Sequence, residues 1–235
     1  MEKNPYFQQR KNGGCYMEDI SQRYYVFRND LITFKGYPVS RVSLSEEEMA
    51  KQKVLGYDIV KVAGWKNIKN YQRNHTISGN CDTIKIAHSS HPNPNFIKKN
   101  DIILSVNQQD KDCIAMTYID TEPPKNIILN ETAIVVRAKE NSDVDMDYIY
   151  IMLQTAPIQN ALLKLINDKG KATPKLSKEM LNMIHIIKLT EEERTKIIEE
   201  HRRIQEETIR FQNTIDKLQT TDENKMGMIW VQSEN

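Results

Sequence analysis

A long uninterrupted stretch near the C-terminal end constrains the fold most. From Thr190 to Met226 the sequence contains neither glycine nor proline, the two residues that disfavour a helix most. Thr190 and Glu193 have the spacing of a capping box, and three consecutive glutamates in the first turn complement the helix dipole. We therefore predict a long helix over residues 190–219, followed by a tail over 220–235.

The residues of this helix follow a heptad pattern. Four apolar residues recur every seven positions, at heptad position d, and three further residues then fall at position a. A stripe this narrow is typical of a coiled-coil seam, whereas a core helix has a broader apolar face. The alternative is a helix that lies across its own sheet. The seam predicts a helix–helix interface made of Ile197, His201, Ile204, Thr208, Phe211, Ile215 and Leu218.

The rest of the chain is predominantly β-like. Six short apolar or alternating runs lie between residues 58 and 138, separated by turn-forming residues. A helical period follows from residue 145, and the run "IHIIKL" then predicts a strand. We predict an α+β fold in which a β-rich domain with packed helices precedes a coiled-coil-like helix. Its parts are residues 1–56, of unclear role, the domain 57–189, the helix 190–219 and the tail 220–235.

Composition limits where the protein can be located and what it can bind. No apolar run approaches the roughly 20 residues that span a membrane. Three widely spaced cysteines predict a reduced, cytoplasmic location. The net charge of +1 is uninformative, but residues 59–81 contain four basic residues and no acidic one. This uneven distribution favours binding of a polyanion by one face.

The basic stretch contains the strongest candidate contacts with DNA, over residues 64–80. Lysine and arginine neutralise phosphates, and asparagine and glutamine amides match adenine edges in the major groove. A tyrosine can pack on a sugar or a base. The alternative is an ordinary solvated loop with Trp65 buried. The candidate residues are Lys66, Lys69, Asn70, Tyr71, Gln72, Arg73 and Asn74.

Two other loops contribute further candidates. The loop "NQQDKD" contains Gln108, Gln109 and Lys111, with a plain polar hairpin as the alternative interpretation. The loop "KGKATPK" contains Lys171 and Lys175, which we expect to contact phosphates.

The search for catalytic motifs is negative. No Gly-rich loop for S-adenosylmethionine follows a strand, and the ATP-binding pattern G-x-x-x-x-G-K-S/T is absent. Cys81, His88 and His91 have the spacing of no zinc finger. We therefore predict no catalytic residue, metal site or cofactor in this chain.

Four segments, in the same order, resemble the DNA-specificity (S) subunits of type I restriction–modification systems. An S subunit has two target-recognition domains, each followed by a spacer helix, and this chain contains one of each. The resemblance therefore implies a half-sized form. The segments are "KKNDIILSV" (98–106), "LNETAIVVRAKENSDVDMDYIYIMLQTAPIQNAL" (129–162), "GKATPKLSKEMLNMIHI" (170–186) and "KLTEEERTKIIEEHRRI" (188–204).

The resemblance implies a non-catalytic subunit that reads double-stranded DNA. It would direct adenine-N6 methyltransferase (M) subunits, which carry S-adenosylmethionine, to the site, and a restriction (R) subunit is a further expected partner. A half-sized chain is expected to pair with a second copy through its antiparallel helices. Two rival hypotheses are a coiled-coil protein-interaction adaptor without DNA binding, and an enzyme such as a nuclease or a methyltransferase fragment.

Overall fold

The computed structural model describes residues 23–51, 56–88, 94–107, 113–167 and 175–233. The chain folds as predicted into an α+β structure with a long C-terminal helix. Of the helices in the described ranges, none is long and apolar enough to cross a membrane.

Nine strands lie in the described residues and form three sheets. The largest sheet is antiparallel in the order β2-β8-β5-β6, a second has the order β4-β3-β7, and β1 pairs with β9. Within the second sheet β3 runs antiparallel to β4 and parallel to β7. The strands are β1 (Tyr24–Val26), β2 (Leu31–Lys35), β3 (Tyr57–Ala63), β4 (Asp82–Ala87), β5 (Ile102–Ser105), β6 (Met116–Tyr118), β7 (Ile127–Leu129), β8 (Ala133–Ala138) and β9 (His185–Ile187).

Nine helices lie in the same described ranges, most of them single turns. Four of them begin at a side-chain cap, in which Ser45, Asp145, Ser177 or Thr190 accepts a backbone N–H. The helices are α1 (Phe27–Asp30), α2 (Val39–Val42), α3 (Glu46–Lys51), α4 (Trp65–Ile68), α5 (Tyr71–Asn74), α6 (Met146–Gln154), α7 (Ala156–Asn167), α8 (Lys178–Leu181) and α9 (Glu191–Ser233).

The main core lies between the four-stranded sheet and the helices α6 and α7. Leu104 and Val136 of the sheet, Tyr148 of α6 and Leu162 of α7 belong to one buried cluster, and Ile198 of α9 joins it. The start of the long helix therefore packs into the same core as the sheet.

A buried ion pair links two central strands of that sheet. Arg137 of β8 donates from Nε and Nη2 to the two carboxylate oxygens of Asp101, both at 2.7 Å, and also to the carbonyl of Phe96. Asp101 is fully buried, and burial raises the pKa of its carboxyl although Arg137 opposes the shift. The two parallel hydrogen bonds pair the buried carboxylate with the guanidinium and hold the residue that directly precedes β5 against β8.

The long helix begins where the sequence predicts. Thr190 Oγ1 accepts the N–H of Glu193 at 3.3 Å, and the Glu193 carboxylate accepts the N–H of Thr190 at 3.0 Å. The helix is 43 residues long and continues past the expected end at residue 219 to Ser233. Gly227 lies inside it, because a glycine costs a helix only about 1 kcal/mol and does not stop it by itself. At 1.5 Å per residue the helix is about 64 Å long.

Candidate nucleic-acid interface

Residues 64–80, which we call the reading segment, form two short helices, α4 and α5, where the sequence predicts a loop. Asn67 holds the segment closed, since its Oδ1 accepts from the Gly64 N–H at 2.9 Å and its Nδ2 donates to the Ser78 carbonyl at 2.9 Å. The Trp65 N–H donates to Thr132 Oγ1 at 3.0 Å. The last of these bonds ties the segment to the turn between β7 and β8.

The aromatic residues of the reading segment are part of the core. Tyr71 is fully buried and its hydroxyl shares a 2.9 Å hydrogen bond with Thr121 Oγ1, so the prediction that it contacts DNA is wrong. Trp65 is 4% exposed, as in the alternative interpretation. Trp65, Ile68 and Tyr71 are spaced by three residues, and this spacing is the signal for a buried helical face that the loop interpretation missed.

Five of the seven predicted contact residues in the reading segment are exposed, Arg73 and four others. Lys66, Lys69, Asn70 and Asn74 lie on the surface of the reading segment. Their side chains make no hydrogen bond or ion pair within the described part of the chain. Two ammonium groups and two amides are thus available on one ordered surface.

The two remaining residues are bound within the protein. Gln72 Oε1 accepts from the Tyr150 hydroxyl at 2.8 Å. Burial raises the pKa of Tyr150 to about 12, which keeps this hydroxyl protonated and able to donate. Arg73 forms an ion pair through Nη2 with Asp216 of α9. Sequence could not reveal either contact, because the partners are 78 and 143 residues apart.

A cleft of about 1100 Å³ separates the reading segment from α9. Asn70, Gln72 and Arg73 line one side, and residues of α9, among them Gln205 and Gln212, line the other. Both walls therefore present amide groups, which can donate and accept hydrogen bonds.

An aromatic cluster braces α9 at the base of this cleft. The rings of Tyr118 and Tyr150 stack with centroids 5.4 Å apart, and His201 of α9 packs edge-on against Tyr150 at 6.0 Å. Burial lowers the pKa of His201, although Asp147 opposes the shift, so the imidazole is neutral near pH 7. Arg202, the next residue, pairs with Asp147 of α6.

The predicted seam is divided between two environments. Ile197 is half-buried against the core and His201 contacts Tyr150, so both of these residues also pack within the chain. The exposed Thr208 donates to the Ile204 carbonyl at 2.8 Å. The apolar side chains of the predicted seam that lie beyond His201 are uncovered. We call the following four residues, with their exposed fractions, the exposed ridge: Ile204 (50%), Phe211 (70%), Ile215 (47%) and Leu218 (61%).

The two other candidate loops meet at their ends. Asn107 and Lys175 form an antiparallel bridge, and the Leu176 N–H donates to the Val106 carbonyl at 3.0 Å. Lys175 is exposed. The described ends of the two loops therefore lie side by side. The other predicted contacts in them lie outside the described residues: Gln108, Gln109, Lys111 and Lys171.

Possible metal ligands are dispersed. Among the described residues no group of three or more His, Cys, Asp or Glu side chains could hold a metal ion. His75 pairs with Asp120 at 3.1 Å and His88 pairs with Asp58 at 3.3 Å. Each of these two histidines therefore already contacts a carboxylate. His91 lies outside the described residues.

No protein-family model and no curated protein matches the chain. Among solved structures it is similar to a chain from a structure of the type I restriction–modification system, with 11% sequence identity, a TM-score of 0.44 and 79% of this chain covered. It is also similar to the HsdS subunit from Thermoanaerobacter tengcongensis, with 15% identity, a TM-score of 0.45 and 82% covered. The chain spans 38% and 46% of the length of those two chains.

Proposed function

We propose that this chain is a sequence-specific DNA-recognition subunit that directs an adenine-N6 methyltransferase to its site. The observation that carries the proposal is the ordered reading segment, which exposes two lysines and two asparagines beside a long projecting helix. The order of the four S-subunit-like segments in the sequence supports the same function.

The exposed groups of the reading segment suit two different tasks. Lys66 and Lys69 neutralise phosphates, which supplies affinity without sequence information. Asn70 and Asn74 each combine a donor and an acceptor, the pattern that matches N6 and N7 of adenine. The start of α4 is held by hydrogen bonds to the Asn67 and Thr132 side chains, and α5 is held by the buried Tyr71. Little backbone conformational entropy is therefore lost when the segment meets DNA.

The projecting part of α9 supplies the means of assembly. Large apolar side chains that are about half exposed or more favour burial against another helix. We propose that two copies pair through their exposed ridges with antiparallel helices. The resulting two-fold symmetry implies a target made of two inverted half-sites separated by a spacer.

Methyl transfer would belong to the partner M subunits, which bind S-adenosylmethionine, and an R subunit would be a further partner. This chain would determine which DNA site is methylated and would not itself catalyse the transfer.

Co-expression with an adenine methyltransferase subunit tests the proposal, with methylated sites mapped by single-molecule sequencing. We expect a new methylated motif that disappears when Lys66 and Lys69 are both changed to glutamate. The matched control changes Lys35 and Lys164, two exposed lysines on β2 and α7, to glutamate and should keep the motif. An unchanged methylation pattern in every strain would contradict the proposal.

The adaptor hypothesis has one observation in its favour, because Gln72 and Arg73 are already bound within the chain. It predicts that reversing the charges of Lys66 and Lys69 changes neither partner binding nor any DNA-dependent signal. Pull-down of the partner together with DNA by the same variants separates the two functions.

A further inference from the structure

The contact between Arg73 and α9 is built from three side chains. Arg73 Nη2 pairs with Asp216 Oδ2, and Gln212, one turn earlier on the helix, donates from Nε2 to Asp216 Oδ1 at 2.9 Å. Both carboxylate oxygens are therefore held, one from each wall of the cleft. The Asp216 side chain is therefore held in one position by two partners, Arg73 and Gln212.

The helix that carries Asp216 is itself anchored to the domain. Ile198 is buried in the main core, Arg194 Nη1 donates to the Tyr25 hydroxyl at 3.0 Å, and Arg202 pairs with Asp147. Asp216 lies fourteen residues beyond Arg202, about 21 Å along the helix axis. A continuous helix transmits the position of its anchored start to that point, so the domain and α9 together determine where Asp216 lies.

Arg73 keeps most of its hydrogen-bonding capacity. A guanidinium has five N–H donors, and Asp216 engages only Nη2. Within the described part of the chain Nε and Nη1 have no partner, and the side chain is 46% exposed at the cleft. Donors therefore remain available to a ligand that enters beside the reading segment.

The ion pair changes what this arginine can recognise. A guanidinium whose charge is partly neutralised by a carboxylate attracts a phosphate less strongly. In exchange, its planar fork is held in one orientation, which favours two parallel hydrogen bonds to a planar acceptor. In the major groove the O6 and N7 atoms of guanine are that acceptor, and arginine is their commonest partner.

We propose that Asp216 is a positioning residue that orients Arg73 to read a guanine, so that α9 forms one wall of the base-reading site. The sequence assigned Arg73 to phosphates and α9 to assembly alone. This inference rests on the proposed DNA recognition, and it adds a specific base and a second role for the helix.

Base preference at single positions of the target tests the inference. The methyltransferase complex is assembled with each variant, and its affinity is measured for the target and for duplexes substituted at one base pair at a time. Arg73→Ala should lower the preference for guanine at one position by roughly 5- to 150-fold, the range for a lost bidentate contact. Asp216→Asn should lower the preference at that same position, and Asp216→Glu should restore part of it.

Two controls separate positioning from simple charge removal. Glu206→Gln removes the same charge from the same helix, where Glu206 also lines the cleft and pairs with Arg210. It should leave base preference unchanged. In the Arg73→Ala background, Asp216→Asn should cause no further loss, because Asp216 acts through Arg73. Circular dichroism checks that each variant keeps the helix.

Three results would overturn the inference. In the first, Asp216→Asn raises affinity for all duplexes equally, as Glu206→Gln would, which means that Asp216 only repels DNA. In the second, the loss caused by Asp216→Asn persists without Arg73. In the third, a wild-type complex that binds its target specifically shows no guanine preference that depends on Arg73. A wild-type complex with no sequence preference at all would instead refute the proposed function, and with it this inference.

Discussion

Removing the largest side chain of the exposed ridge should weaken self-association strongly. Fully burying a side chain such as Phe stabilises by about 1.5–3 kcal/mol. Phe211 is 70% exposed in the single chain, so pairing has about 1–2 kcal/mol to gain from it in each copy. A symmetric dimer loses this contribution twice in Phe211→Ala, about 2–4 kcal/mol in all, which is roughly a 30- to 900-fold rise in the dimer dissociation constant.

Sedimentation equilibrium over a wide concentration range measures this constant directly. Asn213→Ala is the matched control, since Asn213 is exposed on the same helix two positions away and lies outside the predicted seam. It should leave the dissociation constant unchanged. A wild-type chain that stays monomeric at every concentration, alone and with M subunits, would refute pairing through the ridge. So would a wild-type dimer that Phe211→Ala does not weaken.

Three further predictions follow from the contacts of the domain. Changing Lys66 and Lys69 to alanine should make the slope of log affinity against log salt shallower by about 1.8, from about 0.9 per phosphate contact, as measured by fluorescence anisotropy; an unaltered slope would remove them from the interface. Arg137→Ala should lower the free energy of unfolding measured with urea by about 3–5 kcal/mol, because it leaves the fully buried Asp101 unpaired. A decrease below about 1 kcal/mol would contradict that account. Burial lowers the pKa of His201, so the unfolded chain binds the proton more readily and the stability of the fold should fall as the pH drops below about 6.5. Thermal unfolding at pH 7 and pH 5 should therefore show a smaller loss of stability for His201→Gln than for the wild-type chain. An equal loss in both proteins would contradict the assignment to His201.

Local signals in the sequence were sufficient for much of the fold. The capping box at Thr190 set the start of α9, because both of its hydrogen bonds join residues three positions apart. Short apolar runs between turn residues located the strands, because the apolar run and its flanking turns are visible within one short stretch of sequence. The extent of α9 was underestimated, since only context decides whether a helix continues through residues such as Gly227.

The site was harder to predict because its contacts are tertiary. Tyr71 has the composition of a nucleic-acid contact, and only the packing of α5 against the sheet makes it a core residue. The heptad pattern located the apolar stripe of α9. It could not show that Ile197 and His201 pack within the chain while Phe211 and Leu218 do not. That division depends on where the domain ends beneath the helix.

Selection of bound sequences from a pool of randomised duplex DNA tests the central claim most directly, using the purified chain with its methyltransferase partner. Sequence-specific recognition by a paired chain predicts enrichment of two inverted half-sites at a fixed separation, and loss of that enrichment when Lys66 and Lys69 are changed to glutamate. A pool that emerges without any enriched sequence, or one whose enriched sequence is unaffected by those changes, would contradict the account.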